Sequence, residues 1–197
     1  MHKEKLLIAH KEKKGDVLLI KYEDVTQEMI KNKNLNPIEP REVFKYHKKN
    51  LDGSITTYDI SNSKFDSKKP DKEEISSIKR LRDIFGFNIE ILHRVNEDKV
   101  STPDIRNILE DLEYWDIKGI HKSETLNSKN NKISHAIRES KKQTPNVVID
   151  LNRSDCDLSN NEAIEQLFRV FNNEYYDWIE KIIIFGKDDL VKYYKRK

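Results

Sequence analysis

From residue 73 onward the chain alternates segments of helical and strand periodicity, and this order restricts the folds open to it. Glu74, Ile78, Leu81 and Phe85 fall at helical spacing, and Gly86 follows as a helix stop. Further segments are predicted as strands at 88–95, 102–109, 113–120, 146–151 and 179–185, and as helices at 133–140 and 160–178. Short links make the first three strands antiparallel, and crossover helices make the last two parallel. The order predicts an α/β sandwich with a mixed sheet flanked by helices.

The first sixty residues follow a different sequence pattern, in which short β-rich runs are separated by turn-forming residues. We predict a hairpin from Leu6–Ala9 and Val17–Tyr22, and a short helix from Thr26, its N-cap, to Lys31. Two more strands flank the turn Asn50-Leu51-Asp52-Gly53. Residues 61–72 are polar and include Pro70, which is typical of a linker. The predicted domains are therefore a small β-rich N-terminal module of unknown role (1–60), a linker (61–72) and a main domain (73–197).

Composition excludes several classes of function. The 37 basic and 35 acidic side chains leave a net charge of only +2, so any nucleic-acid surface must be a local basic patch. Cys156 is the single cysteine and lies between Asp155 and Asp157, which disfavour a thiolate nucleophile. The longest apolar runs are too short to span a membrane, and the N-terminus lacks the pattern of a signal peptide. We expect a soluble chain that is cytoplasmic where it is made or delivered.

Two short motifs carry the chemistry. Thr102-Pro103-Asp104 is followed twelve residues later by Trp115-Asp116-Ile117-Lys118-Gly119. Side chains alternate along a strand, so Asp116 and Lys118 point to one face, and Asp104 can lie beside them on the neighbouring strand. A divalent cation relieves the repulsion between two adjacent carboxylates, and a lysine there can orient a water or offset developing phosphate charge. The pattern predicts a metal site for phosphodiester chemistry.

The chain from about Glu73 to Tyr194 resembles the PD-(D/E)xK phosphodiesterase superfamily, in motif and in element order. The resemblance implies a restriction-endonuclease-like core. It also implies that Asp104 and Asp116 bind Mg²⁺ or Mn²⁺, with Zn²⁺ a further candidate, and that Lys118 assists catalysis. Glu74 fits the acid found on the first helix of that superfamily, and Glu73 is the alternative.

A narrower resemblance runs through Trp115–Lys118, Ile133–Gln143 and Asn146–Leu151. These segments resemble the C-terminal toxin nuclease domain of bacterial contact-dependent growth inhibition (CdiA-like) proteins, which has relatives on phage and mobile-element proteins. The resemblance implies a tRNase toxin, RNA as the favoured substrate and a cognate immunity protein as a partner. Gln143 fits the polar residue at the end of the second helix of that family.

Basic residues near the second helix are candidates for binding nucleic acid. The candidates are the basic residues Lys129, Lys132, Arg138 and Lys142, together with the polar residue Gln143. A solvated helix face explains the four cations equally well. If they do bind phosphates, affinity should fall steeply with salt concentration.

Two other functions remain open at the level of sequence. The first is a metal-independent toxin RNase, in which Lys118 and the acid–base candidates His121 or His135 act with Ser134 or Thr144. The second is a non-catalytic binding module, either a phage or mobile-element protein or an immunity protein with a decayed nuclease fold. Activity in EDTA would favour the first alternative, and a tight partner without cleavage would favour the second.

Overall fold

The computed structural model of the protein describes residues 21–50, 52–59, 70–95, 100–109 and 113–197. Within these ranges the strands are β1 (Tyr22–Asp24), β2 (Arg41–Val43), β3 (Lys45–Lys49), β4 (Ile55–Asp59), β5 (Ile89–Leu92), β6 (Ile105–Asn107), β7 (Glu113–Gly119), β8 (Asn146–Asp150), β9 (Lys181–Phe185) and β10 (Val191–Arg196). The helices are α1 (Thr26–Lys31), α2 (Lys72–Phe85), α3 (Leu126–Asn130), α4 (Lys132–Ser140) and α5 (Asn160–Phe171). A 3-10 turn follows at Glu174–Tyr176.

Eight of the described strands form one mixed sheet in the order β1-β10-β9-β8-β7-β6-β5-β2, and β3 pairs with β4 as a separate hairpin. The strands β5, β6 and β7 are mutually antiparallel, and β7, β8 and β9 run parallel. The predicted fold class and strand directions are therefore confirmed.

Apolar side chains cover both faces of the sheet. On one face α2 packs Ile78, Leu81 and Phe85 against a layer that includes Trp115 and Ile117. On the other face α4 and α5 pack against the opposite side chains of β8 and β9. Alternation along β8 and β9 supplies both layers, because successive residues point to opposite faces. Strand β7 thus lies in the middle of a three-layer structure.

Helix α2 ends where its sequence predicts and begins at Lys72, the last residue of the predicted linker. The Asp71 carboxylate caps the N–H groups of Glu73 and Glu74, and the Glu74 side chain returns to the Asp71 N–H, which completes a capping box. Gly86 ends the helix in the left-handed region with φ of 72°. A β-carbon at Gly86 would meet the backbone of Asn34, so both conformation and space favour glycine there.

Some boundaries differ from the sequence predictions. The polar stretch 122–132, predicted as loop, contains α3, because Thr125 and Ser128 form a capping box that starts a short helix. The third long helix ends at Phe171 instead of Trp178. Thr26 is the first residue of α1, whose N-cap is Val25. The sequence predicts either a helical turn or an edge at 190–194; residues 191–194 lie in β10, which is paired on both sides.

The N-terminal segment contributes to the large sheet. Strand β1 pairs with β10 at one edge, and β2 pairs with β5 at the other. The predicted hairpin at 6–9 and 17–22 lies almost entirely outside the described residues, as does most of the predicted linker. The division into an N-terminal module and a main domain stays a prediction. None of the described helices is long and apolar enough to cross a bilayer.

Candidate active site

Strand β7 brings the acid and the lysine of the central motif together. Asp116 and Lys118 share a face of β7, and the Nζ of Lys118 lies 2.9 Å from Oδ2 of Asp116. The Asp116 side chain is 1% exposed and that of Lys118 is 20% exposed. Trp115 and Ile117 point to the other face, where they pack in the core beneath α2. The lysine amino group therefore links a buried carboxylate to the surface.

Asp104 lies directly before β6 and reaches β7 through both backbone and side chain. Its N–H donates to the carbonyl of Trp115 at 3.1 Å. Its Oδ2 accepts a hydrogen bond of 2.7 Å from the N–H of Ile117. These two contacts fix Asp104 beside Asp116, as expected for antiparallel neighbours.

The two carboxylates interact strongly. Burial, the charge of Asp116 and a hydrogen bond with that carboxylate raise the pKa of Asp104 to about 8, against the lowering effects of the Ile117 N–H and Lys118. Two carboxylates this close cannot both be ionised without a compensating cation. A proton or a bound cation would relieve this repulsion.

The end of α4 supplies further donors to Asp116. The Oγ of Ser140 donates to Oδ2 of Asp116 at 2.5 Å. The Gln143 amide, oriented with its nitrogen toward the carboxylate, donates to both oxygens of Asp116. Gln143 thus lies at the acid pair instead of on an open phosphate-binding surface. Ser140 was not among the predicted site residues; its sequence signal is a polar position on the otherwise apolar face of Ile133, Ala136 and Ile137.

The structure also separates the two candidates for the acid on α2, Glu73 and Glu74. Glu74 lines a small cavity of about 30 Å³ with Asp104 and Ile117, a space the size of one water molecule. Its Oε2 also accepts from the Asp71 N–H at 2.9 Å. Glu73 instead pairs with the guanidinium of Arg153. Glu74 is therefore the better placed of the two candidates to join Asp104.

The donor set suits a hard divalent cation. Asp104 and Asp116 offer carboxylate oxygens, and the described residues contain no cluster of three or more His, Cys, Asp or Glu side chains arranged to hold a metal. A two-carboxylate site with water or substrate completing the shell is typical of Mg²⁺. Zn²⁺ prefers nitrogen or sulfur ligands. The residues thus fit Mg²⁺ or Mn²⁺ better than Zn²⁺.

The two histidines lie apart from this pair. His121 Nδ1 is 3.0 Å from the carboxylate of Asp155, and His135 Nδ1 is 3.4 Å from that of Glu139. Both histidine side chains are more than half exposed. Within the described ranges, neither shares a hydrogen bond or ion pair with Lys118. Neither histidine is therefore in hydrogen-bond contact with the lysine among the described residues.

The hydroxyl groups considered for that chemistry are also engaged elsewhere. Thr144 is buried, and its Oγ1 donates to the carbonyl of Tyr114 at 2.7 Å. Ser134 donates to the carbonyl of Asn131 at 2.9 Å. Neither contact leads toward Lys118.

The predicted basic residues lie in three different settings. Lys129 pairs with Glu162 at 2.8 Å, so its charge is partly compensated. Lys132 and Arg138 line a cavity of about 690 Å³ formed by α3, α4 and α5. Lys142 is exposed just beyond α4. Basic side chains therefore lie on the α4 side of the sheet.

Comparison with known proteins gives one match. Residues 101–191 match the family model of the contact-dependent growth inhibition CdiA C-terminal domain. The matched segment covers a little under half of the chain; it includes Asp104, Asp116, Lys118 and Gln143, and leaves Glu74 outside. No curated protein and no solved structure matches the chain. The expected resemblance to CdiA C-terminal domains is confirmed, and the PD-(D/E)xK assignment stays a prediction.

Proposed function

We propose that the protein is a toxin endonuclease that hydrolyses phosphodiester bonds in RNA with the help of Mg²⁺ or Mn²⁺. The observation that supports this most is the contact between Asp104 and Asp116, with Lys118 on the same carboxylate. Burying two adjoining carboxylates costs stability unless a cation or proton compensates. Such an arrangement is typical of functional sites.

Each residue has a distinct task in this proposal. Asp104 and Asp116 hold the divalent cation, and Glu74 assists from α2 across the small cavity that it shares with Asp104. When bound, the cation supplies Lewis-acid activation of the phosphodiester and of the attacking water. Lys118 orients that water or offsets negative charge as it develops on the phosphoryl oxygens.

The surrounding donors keep the carboxylate of Asp116 in one orientation. Ser140 and Gln143 donate to it from the end of α4, and Lys118 approaches from its own strand. Hydrogen bonds to a metal-binding carboxylate fix its geometry and tune its basicity. Ser140 and Gln143 are therefore positioning residues in the proposed reaction.

The biological role rests on the family match. Similarity to a CdiA C-terminal domain supports a toxin of contact-dependent growth inhibition or of a related phage or mobile element. By that similarity we propose tRNA as the first substrate to test and a cognate immunity protein as the partner. The basic residues Lys132, Arg138 and Lys142 would contact RNA phosphates.

The test is a cleavage assay on tRNA and on duplex DNA of similar length, in Mg²⁺, Mn²⁺, Zn²⁺ or EDTA. Asp116→Asn serves as the inactive variant, and Asp155→Asn removes a carboxylate outside the acid pair as its matched control. The proposal expects metal-dependent cleavage of tRNA that is lost in Asp116→Asn and kept in Asp155→Asn. Cleavage in EDTA would instead support the Lys118 and histidine mechanism, and no cleavage of either polymer would support a binding module.

A further inference from the structure

The cavity between α3, α4 and α5 has the size and chemistry of a ligand site. Its volume of about 690 Å³ lies within the range of roughly 300–1,000 Å³ usual for small-molecule pockets. It lies on the α4 side of the sheet, and neither Asp104 nor Asp116 lines it. It is therefore separate from the acid pair.

Positive charge in this cavity is not compensated. Lys132, Arg138 and Arg169 line it, and none of the described lining residues is acidic. Within the described ranges, none of these three cations forms an ion pair with a carboxylate. Lys132 and Arg169 each donate once to a backbone carbonyl, of Lys122 and Asn130 respectively. Both arginines keep free N–H groups in a planar fork that matches phosphate oxygens.

Five of the other ten lining residues carry side-chain amides. Asn127, Asn130, Asn131, Asn173 and Gln166 line the same space. Both polar atoms of Gln166 bond to backbone groups, and the Asn131 amide donates to Asn127. Within the described ranges the Asn130 amide makes no side-chain hydrogen bond, so it can offer a nucleobase edge both a donor and an acceptor. Inorganic phosphate has no planar polar edge for this amide, so the lining favours a ligand with an anionic end and a polar, planar end.

The floor of the cavity is held in place by hydrogen bonds. The Gln166 Nε2 donates to the carbonyl of Lys129 at 2.9 Å, and its Oε1 accepts from the N–H of Ile133 at 3.1 Å. Gln166 is 4% exposed and so ties α5 to the junction of α3 and α4. These bonds fix the positions of the three helices around the cavity, and a pre-organised site lowers the entropic cost of binding.

We infer that this cavity binds a nucleoside monophosphate unit, with the phosphate on Arg138 and Arg169 and the base against the asparagine amides. The unit can come from a free mononucleotide or from an unpaired nucleotide of an RNA strand. Helix α4 runs from Lys132 at the cavity to Ser140 at the acid pair, roughly 12 Å at about 1.5 Å per residue. One short RNA segment can therefore reach both places.

This inference rests on the proposed function only for the polymeric source of the ligand. Binding of a mononucleotide requires no catalysis, so the two ideas can fail separately. Binding is measured by calorimetry in EDTA with Asp116→Asn protein, which leaves RNA intact. The probes are the four 5′-ribonucleoside monophosphates, inorganic phosphate and an unstructured single-stranded hexaribonucleotide.

The double variant Arg138→Gln/Arg169→Gln removes both guanidinium groups from exposed positions. The double variant Arg138→Lys/Arg169→Lys keeps both positive charges but lacks the planar N–H groups of the guanidinium. Lys79→Gln, exposed on α2 on the other face of the sheet, is the matched control. We expect at least one mononucleotide to bind more tightly than phosphate, with affinity at least tenfold weaker in the glutamine variant, partly restored in the lysine variant and unchanged in the control.

RNA is identified as the source of the bound nucleotide unit if two results are found. The hexanucleotide binds at least tenfold more tightly than any mononucleotide, and this affinity is lost in the glutamine variant. Equal affinities identify a free nucleotide. Absence of saturable mononucleotide binding at millimolar concentration, or equal binding by wild-type and glutamine-variant protein, overturns the inference. A wild-type protein that cleaves nothing but retains arginine-dependent nucleotide binding refutes the proposed function and leaves this inference standing.

Discussion

The Oγ of Ser140, the last residue of α4, donates a hydrogen bond of 2.5 Å to Oδ2 of Asp116 in the middle of β7. Both side chains are completely buried, so the bond is shielded from water. It connects the helix that bounds the basic cavity to the carboxylate that we assign to the cation. The position of α4 and the geometry of the acid pair are therefore coupled through one hydroxyl group.

Ser140→Ala should impair the proposed reaction without abolishing it. The loss of one hydrogen bond to a metal-binding carboxylate typically costs 10–100-fold in metal affinity or activity. We expect the Mn²⁺ concentration for half-maximal cleavage to rise by about that factor, while cleavage at saturating Mn²⁺ recovers. A purely structural serine would leave the Mn²⁺ dependence unchanged. Ser123→Ala, which removes a hydroxyl bonded to Asp157, is the matched control.

Lys118→Ala should reduce the rate of the chemical step more than metal binding. Removing a group that stabilises transition-state charge costs on the order of 10²–10³ in kcat. Lys118→Arg should recover part of this loss, because the charge is kept but its shape differs. Single-turnover cleavage measures the rate, and Lys122→Ala is the control. Wild-type rates in Lys118→Ala would remove the lysine from the mechanism.

A divalent cation should stabilise the folded protein through the acid pair. A ligand at 100 times its Kd that binds only the folded state adds about 2.7 kcal/mol. At roughly 2–4 °C per kcal/mol for a chain of this size, Tm should rise by roughly 5–10 °C. Thermal unfolding followed by circular dichroism, with and without Mn²⁺, measures the shift. The same shift in Asp104→Asn protein would place the cation elsewhere.

The junction between the N-terminal and C-terminal strands should be sensitive to acid. Burial raises the pKa of Asp24, but hydrogen bonds from Lys192 and Thr26 outweigh it and hold that pKa below its usual value. A carboxyl whose folded-state pKa is lowered stabilises the protein above its unfolded pKa of about 3.9, and the benefit disappears as pH falls through the folded pKa. Asp24→Asn should therefore lower Tm at pH 7 and approach wild type below about pH 4. A Tm difference independent of pH would contradict this.

The parts of the site that depend on local periodicity were predictable. Asp116 and Lys118 share a face because a strand alternates, and Asp104 meets Asp116 because a short link makes their strands antiparallel neighbours. The sequence marks Ser140 as a polar position on the apolar face of α4, but the approach of α4 to β7 is a tertiary contact, so the local pattern does not identify Asp116 as its partner. For the same reason the sequence predicts a phosphate-binding role for Gln143 and gives no sign of the contact between its amide and Asp116.

At the edges of the sheet, too, the sequence predicts a strand pair only where the two strands are close in sequence. The turn at 50–53 predicts the β3–β4 hairpin because its partners are adjacent in sequence. Strand β1 pairs with β10 across almost the whole chain. Strand β1 has only three residues, which is too short a segment for the sequence to identify β10 as its partner. The composition shift near residue 72 likewise marks the start of α2, yet it does not reveal that β2 lies beside β5.

The most direct test of the account is single-turnover cleavage of tRNA by Asp104→Asn protein beside wild type and Asp157→Asn, each in Mn²⁺ and in EDTA. Asp104→Asn keeps the size of the side chain and its contact with the Ile117 N–H, but it can no longer ionise to bind a cation. The account predicts Mn²⁺-dependent cleavage by wild type and Asp157→Asn, and a loss of at least 10²-fold in Asp104→Asn, comparable to removal of one charge-stabilising group. Equal cleavage by all three proteins, or cleavage by wild type that persists in EDTA, would contradict it.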